Sequence, residues 1–365
     1  MLLRDIRVRG WRNLADQKLV LGERVTVLFG QNGQGKSNLL EAAYYALTFR
    51  SFRTSAVADL VAWGEKRAEI DARIMLRGLE RTLRIEVEVG KKRTTLDGKV
   101  IRRDAESLHG AGVVVFGPED LRLPKAAASE RRRALDRAVF AVHRSYYREA
   151  IDFERALKAR NGILRRGEFS KELLESYDET LAKAGARIVV RRRELVRDLA
   201  PTVADVFGEI HGDLVARIGY RSHARIEAVD AELAIEGALR LGLEAERGND
   251  LRRGFTGFGP QTDDLEMLLG NRPARDHASQ GQMRSLVLAF KISELRLTEA
   301  RNGETPVLLL DDVASELDLE RRTRLFETIS AMACQTLITV TEREHLPDLP
   351  ERVDWHVSSG LLEAS

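Results

Sequence analysis

The sequence predicts an α/β fold in which segments from both ends of the chain build one head around a mainly helical insert. Three observations carry this prediction. A short β-branched and aromatic run, Val25 to Phe29, leads into Gly30-Gln31-Asn32-Gly33-Gln34-Gly35-Lys36-Ser37, which fits G-x-x-x-x-G-K-[ST] at every specified position. Far downstream, Val307-Leu308-Leu309-Leu310-Asp311-Asp312 reads as a buried strand that ends in two carboxylates. Between the two lies a long stretch of helical periodicity.

The first head segment, residues 1–123, is expected to begin with strands around Ile6 and Val8, at Leu19 to Leu21 and at Val25 to Phe29. Glycines in the loop that follows let successive N–H groups and a helix N-terminus face an anion; Lys36 adds a point charge and Ser37 an oxygen for magnesium. After the loop, Leu39, Leu40, Ala43, Tyr44 and Leu47 share one helical face. A glycine-rich strand-to-helix turn with a chance Lys-Ser is the competing reading. Further strands are expected at Glu69 to Leu76, Arg81 to Val89 and Gly112 to Phe116, with Asp97-Gly98 as a hairpin turn.

Pro124 opens the insert, residues 124–251. Leu135, Val139, Val142, Tyr146, Phe153 and Leu157 recur at helical spacing, and Tyr177, Leu181, Ala184, Ile188, Leu195 and Leu199 do so again with an interruption at Arg191. Asn161-Gly162 and Arg165-Arg166-Gly167 read as the turn between them. Two such helices facing each other make a short antiparallel coiled-coil hairpin, with arms of about 45 Å. A compact helical bundle has the same periodicity and stays open as an alternative. The chain is expected to leave the arm near Pro201, pass a strand at Leu214 to Ile218, and re-enter the head as residues 252–365.

In that second head segment Ser279-Gln280-Gly281-Gln282 opens a helix with apolar positions Met283, Leu286, Val287, Phe290 and Leu297. Ser279 and Gln282 form a capping box, and the same helix start offers N–H groups to a γ-phosphate; cap and phosphate site both remain open on spacing alone. Mg²⁺ takes hard oxygen ligands and shares its shell with phosphates, so Ser37 and Asp311 are its expected protein ligands. Asp312 is then free to orient or deprotonate an attacking water. With Lys36 these two carboxylates make up the expected catalytic set, unless they only cap the next helix.

The order of parts resembles the ATP-binding-cassette class of ATPases, and within it the chromosome-maintenance and recombination branch that includes the SMC proteins. Nearly the whole chain resembles the RecF family. The stretches that carry this are Ile6-Arg7-Val8-Arg9-Gly10-Trp11-Arg12-Asn13-Leu14, Ser51-Phe52-Arg53-Thr54-Ser55, Phe116-Gly117-Pro118-Glu119-Asp120-Leu121, Arg131-Arg132-Arg133-Ala134-Leu135-Asp136 and Gly259-Pro260-Gln261-Thr262-Asp263-Asp264-Leu265. The resemblance implies ATP and Mg²⁺ as cofactors, bound by Gly30 to Ser37 and Asn38. It makes Ser279, Gly281 and Gln282 the signature motif and puts Asp318 in the loop after the metal-binding strand. Arg12 and Asn13, on the turn after the first strand, take positions at which related repair ATPases touch the nucleotide. It further implies a homodimer closed by two ATP molecules, slow DNA-stimulated hydrolysis, clamping of DNA at single-strand gaps and junctions without sequence reading, and cooperation with RecR, RecO and RecA.

The chain departs from the wider class at several places. Gln280 stands where transporters carry Gly, and Asp312 where a catalytic Glu is usual; no His follows Gln335 to Thr341 as a switch residue. Gln261-Thr262 replaces His-Arg, and no Gln lies between Phe116 and Leu121.

Composition bounds the rest. With 43% hydrophobic and 32% charged residues over 365 positions, the chain is globular. Lys and Arg number 59 against 57 acidic residues, so any DNA affinity comes from local clusters: Lys91-Lys92-Arg93, Arg131-Arg132-Arg133 and Arg191-Arg192-Arg193. A lone Cys334 excludes an intrachain disulfide, and the His residues have no zinc-ligand spacing. No signal-type core and no membrane-length apolar run is present, which predicts a cytoplasmic, unanchored protein. A transporter ATPase subunit and a P-loop small-molecule kinase are the rival classes; the first needs a membrane partner, the second works as a monomer.

Overall fold

The computed structural model describes residues 1–54, 56–76, 78–101, 112–143, 145–167, 170–211, 214–332 and 334–364. Ser55, the last residue of the Ser51-Phe52-Arg53-Thr54-Ser55 stretch, lies outside them. The chain divides into two compact units, Met1–Leu121 with Glu294–Ser365, and Arg122–Ser293.

The first unit opens with β1 (Leu2–Arg9), β2 (Gln17–Val20), β3 (Val25–Phe29) and α1 (Lys36–Thr48). Four more strands follow, β4 (Arg67–Leu76), β5 (Leu79–Glu88), β6 (Lys91–Leu96) and β7 (Lys99–Val100), before β8 (Val113–Phe116). Six of these make an antiparallel sheet in the order β2-β1-β4-β5-β6-β7. Period-two patterning sets its buried face: Ala68, Ile70, Ala72 and Ile74 of β4 and Leu83, Ile85 and Val87 of β5 all turn inward. The Asp97-Gly98 turn forms as expected, with φ of 50° and 77°, and it joins two strands, β6 and β7, that the pattern alone had not marked.

The second unit holds α2 (Ala128–Val142), α3 (Tyr146–Arg166), α4 (Lys171–His211), β9 (Ala216–Arg221), α5 (Ala224–Glu227), α6 (Glu232–Arg253), β10 (Asp264–Leu269), β11 (Arg272–Pro273), α7 (Ala274–His277) and the start of α8 (Gln280–Asn302). Several expectations for the insert change here. The first long helix is two, α2 ending at Val142 and α3 beginning at Tyr146. Asn161-Gly162 is inside α3, because Asn161 spends its side-chain oxygen on Thr256, accepting from its N–H at 2.8 Å and its hydroxyl at 2.7 Å. The helix ends instead at Gly167, which takes φ 73° and returns its N–H to Ile163 O at 3.3 Å. α4 runs through Arg191 and Pro201 without a break. Proline costs one backbone hydrogen bond, but Leu199, Val203, Val206 and Phe207 around it are fully buried, and tertiary packing outweighs propensity.

α4 packs against α2, α3, α6 and β9, so the helices form a bundle around it. The arm was expected to end at 251; residues 252–293 stay with this compact unit because β10 pairs antiparallel with β9 from Asp264↔Arg221 to Leu269↔Ala216. Ion pairs tie the bundle inside. Arg160, fully buried, donates to Asp178 at 2.6 Å and to Asp250 at 2.7 Å.

The chain completes the first unit with β12 (Val307–Asp311), α9 (Val313–Glu316), α10 (Leu319–Met332), β13 (Thr336–Val340), β14 (Arg352–Ser358) and β15 (Leu361–Ala364). Its second sheet has the order β15-β14-β3-β13-β12-β8. β14, β3, β13, β12 and β8 are parallel neighbours, so the C-terminal ends of β3 and β12 reach one edge with only β13 between them. That edge is where α/β sheets hold ligands. α1 covers β8, β12 and β13, and Leu39, Leu309 and Leu337 share its core.

Candidate functional site

The loop between β3 and α1 is shaped by glycine. Gly30 (φ 144°), Gly33 (φ 82°) and Gly35 (φ 111°) take backbone conformations that favour residues without Cβ. Gly30 also has no room, since an added Cβ would sit 2.3 Å from Val357 O, whereas Gly33 faces open space. Gln31, Asn32 and Gly33 are exposed. α1 begins at Gly35 with no side-chain cap and no acidic residue in its first turn, so no carboxylate of its own first turn offsets the positive end of its dipole. The loop thus has the backbone form that the motif predicts for an anion cradle.

Lys36 is buried at the base of the loop, its Nζ donating to Gly30 O at 2.5 Å and Gln31 O at 2.9 Å. Burial holds its pKa below the usual lysine value, against the attraction of Asp312 and Asp311. Ser37 Oγ donates to Asp311 Oδ1 at 2.6 Å, joining residues that are far apart in the chain. Thr339 of β13 donates its hydroxyl to the same oxygen at 2.9 Å. Asp312 takes φ 52° at the start of α9; its N–H reaches Thr339 Oγ1 at 2.9 Å, and its carboxylate accepts from Ser315 Oγ at 3.0 Å. Burial raises its pKa, partly offset by Ser315 and Lys36. Hydroxyl and carboxylate oxygens at this spacing are the hard donor set Mg²⁺ takes, and among the described residues no cluster of three His, Cys, Asp or Glu offers another metal site.

The remaining expected residues distribute as follows. Asn13 donates its amide to Gly33 O at 3.3 Å and accepts from Asn38 Nδ2 at 2.6 Å, so both lie against the loop. Arg12 is committed elsewhere, with two hydrogen bonds of 2.7 Å to Glu41, which is fully buried. Asp318 caps α10, accepting from the Arg321 N–H at 3.0 Å, and pairs with the Arg321 guanidinium. In the second unit, Ser279 and Gln282 form the expected reciprocal box, at 2.9 Å and 3.2 Å, at an exposed start of α8 that also carries Gly281.

Sequence reasoning missed four contributors. Glu41 anchors Arg12 and Ser51; a charge among Leu39, Leu40, Ala42 and Ala43 on a buried helix is the signal that a partner exists. Arg53 donates to Asn38 Oδ1 at 2.5 Å, and Thr339 bonds both Asp311 and Asp312. The turn after β14 clasps the loop from behind: Gly360 N–H donates to Gln34 O at 2.9 Å, and Ser359 N–H donates to the Gln34 side chain. No local pattern announces that clasp.

Two of the three basic clusters are largely consumed internally, with Arg133 left exposed. Arg131 pairs with Asp264 at 2.6 Å and Arg132 donates to Asp263 O at 2.7 Å; Arg192 is buried, holding Asp136 at 2.7 Å and Pro260 O at 2.7 Å, while Arg193 reaches Val229 O at 2.6 Å. This also gives the Gly259 to Leu265 stretch a structural role. Lys91 and Arg93 on β6 stay exposed and have no ion pair among the described residues.

Residues 2–354 match the family profile described as the RecF/RecN/SMC N-terminal domain. Fold and loop together define a P-loop protein of the RecF/RecN/SMC class, with the cassette-type head that the order of motifs predicts. The DNA replication and repair protein RecF of Myxococcus xanthus is 42% identical over 346 residues, covering 94% of this chain and 91% of its own. That of Anaeromyxobacter dehalogenans is 40% identical over 369 residues, 99% of each. The chain belongs to the RecF family. A solved structure of the recombination mediator protein RecF-ATP in the RecFOR pathway superposes with a TM-score of 0.89 at 31% identity, covering 100% of this chain and 97% of that one.

Proposed function

We propose that this protein is an ATP-gated DNA clamp of recombinational repair, a weak ATPase that dimerises on ATP at single-strand gaps and junctions and promotes recombinase loading. The observation that carries the reading is the Ser37–Asp311 hydrogen bond beneath an uncapped α1: it assembles an anion cradle and a hard-metal oxygen pair at one sheet edge. ATP phosphates lie along the N–H groups of residues 30–38, and Lys36 turns from its loop carbonyls to them. Ser37 and Asp311 would hold Mg²⁺, which would neutralise phosphate charge. Asn13 and Asn38 border the cradle and contact the nucleotide; Arg12 acts through Glu41 rather than directly.

Asp312 orients the attacking water. Its raised pKa makes it a better proton acceptor than an exposed aspartate, and its short side chain makes turnover slow. The exposed Ser279 and the half-buried Gly281 and Gln282 at the start of α8 grip the γ-phosphate of a second copy, with Asp318 near the joint. ATP then adds contacts across an otherwise weak interface, so ligand binding is linked to dimerisation. RecO and RecR, after the pathway of the solved relative, and RecA are the expected partners. Among the described residues no helix is long and apolar enough to cross a membrane, and the RecF relatives at 42% and 40% identity weigh against the transporter-subunit reading.

The test is retention of gapped DNA with ATP, ADP and no nucleotide, alongside light scattering. Wild-type protein is expected to dimerise and retain DNA with ATP alone, and Lys36→Met to lose both while keeping its melting temperature. A monomer at saturating ATP and magnesium, or unimpaired retention by Lys36→Met, sinks the proposal.

A further inference from the structure

Trp63 is exposed at 103%, the highest value of any large apolar side chain among the described residues. An indole carries more apolar area than other side chains and is normally covered, as Trp11 is here. Trp63 is held outward by its backbone. Glu65 N–H donates to Ala62 O at 3.0 Å and Gly64 takes φ 86°, the geometry of a type II turn with Trp63 at its tip. The root of the turn is fixed: Ala62 N–H donates to Gly10 O at 2.8 Å, Arg12 N–H donates to Leu60 O at 3.0 Å, and Trp11 bridges Val61. An aromatic disc on a fixed turn loses little freedom when it meets a partner.

Its surroundings say what that partner is. Residues 63–67, Trp-Gly-Glu-Lys-Arg, are all exposed, and Lys66 has no acidic partner among the described residues. Sheet register brings in a second turn. Arg67 lies opposite Glu88, and Glu88 opposite Lys91, so Arg67 and Lys91 lie two strands apart, with Glu88 between them, at the sheet end where the Trp63 turn and Lys66 enter β4. Arg67 pairs with Glu69 at 2.9 Å yet stays 55% exposed. A protein-binding hot spot sets its Trp in a desolvated apolar centre. Here Val89 is the one exposed large apolar neighbour in these two turns, and charge dominates. Glu65 and Glu88 are the acidic residues of the patch, against Lys66, Arg67 and Lys91, and an isolated π-face with cations in excess beside it matches an unpaired nucleobase and its phosphates.

We propose that Trp63, flanked by Lys66, Arg67 and Lys91, is a stacking platform for an unpaired base of DNA. The inference rests on the clamp reading and adds to it the means by which a single-stranded segment is told from duplex. Duplex bases are stacked on each other and offer no free face, while every unpaired base does.

The test compares binding of oligothymidylate and of blunt duplex, with ATP, by anisotropy and by tryptophan fluorescence. Oligothymidylate is expected to quench wild-type emission. Trp63→Ala should bind it about 5- to 100-fold more weakly while duplex affinity stays within about twofold, and Trp63→Phe should recover most of the loss. Unchanged oligothymidylate binding by Trp63→Ala, or an equal loss on duplex, overturns the inference while leaving the clamp intact. Loss of ATP-dependent dimerisation with DNA binding preserved also overturns it, by assigning Trp63 to a second copy. Wild-type protein that binds neither DNA removes the clamp reading and this inference together.

Discussion

Asp263 shows how much a single buried carboxylate shapes the second unit. Burial pushes its pKa up to about 6, although Tyr220, Arg192 and Arg132 favour the charged form. The folded pKa therefore lies above the unfolded one, and folding binds the proton. Stability from this group is fully present below about pH 4, falls as pH rises through about 6, and is lower by about 3 kcal/mol above that. Asp263→Asn keeps an acceptor for the Tyr220 hydroxyl and cannot ionise. Relative to wild type, the variant should gain about 3 kcal/mol in urea unfolding between pH 4 and pH 7; a pH-independent difference would refute this origin. The local sequence Gln261-Thr262-Asp263-Asp264 gave no hint of this, because the burial comes from α4 and β9, which are far away in the chain.

At the scale of elements, legibility followed the range of the cause. The loop, the strand before it, the Asp311-Asp312 strand and the Ser279 box are written in contiguous residues, and each forms where its pattern predicts. The helices of the insert were misdivided because turn signals compete with packing: Asn161 and Pro201 both lie inside helices whose buried faces hold them there. Arg12–Glu41 and the clasp of the 359–360 turn on Gln34 are long-range pairings that no window contains. The clasp is testable as an element. Gly360 takes φ 76°, and an added Cβ would meet Asn13 O at 2.3 Å. Gly360→Ala should therefore push the turn off Gln34 and weaken ATP binding about tenfold, at a stability cost of about 1–3 kcal/mol. Fluorescent-nucleotide titration measures the first and thermal melting the second; intact affinity would show that the loop needs no clasp.

For the whole molecule, a formal net charge of +2 leaves no general field for nucleic acid, so the fate of each cluster decides where DNA can lie. Arg192→Ala removes the buried guanidinium that holds Asp136 and Pro260 O, leaving Asp136 the Tyr146 hydroxyl, and should lower stability by about 3 kcal/mol. Lys91→Ala with Arg93→Ala should leave melting unchanged, weaken DNA retention and flatten its salt dependence. The reverse pattern would move the DNA surface to the second unit. The hold of the 359–360 turn on Gln34 has a consequence in time as well as in space. Ribosomes deliver Gln34 of the phosphate loop 325 positions before Ser359 of the turn that braces it, so the nascent chain carries the motif long before it has the finished receptor. A chain grown past Gly360 can close that clasp, with β14 seated beside β3.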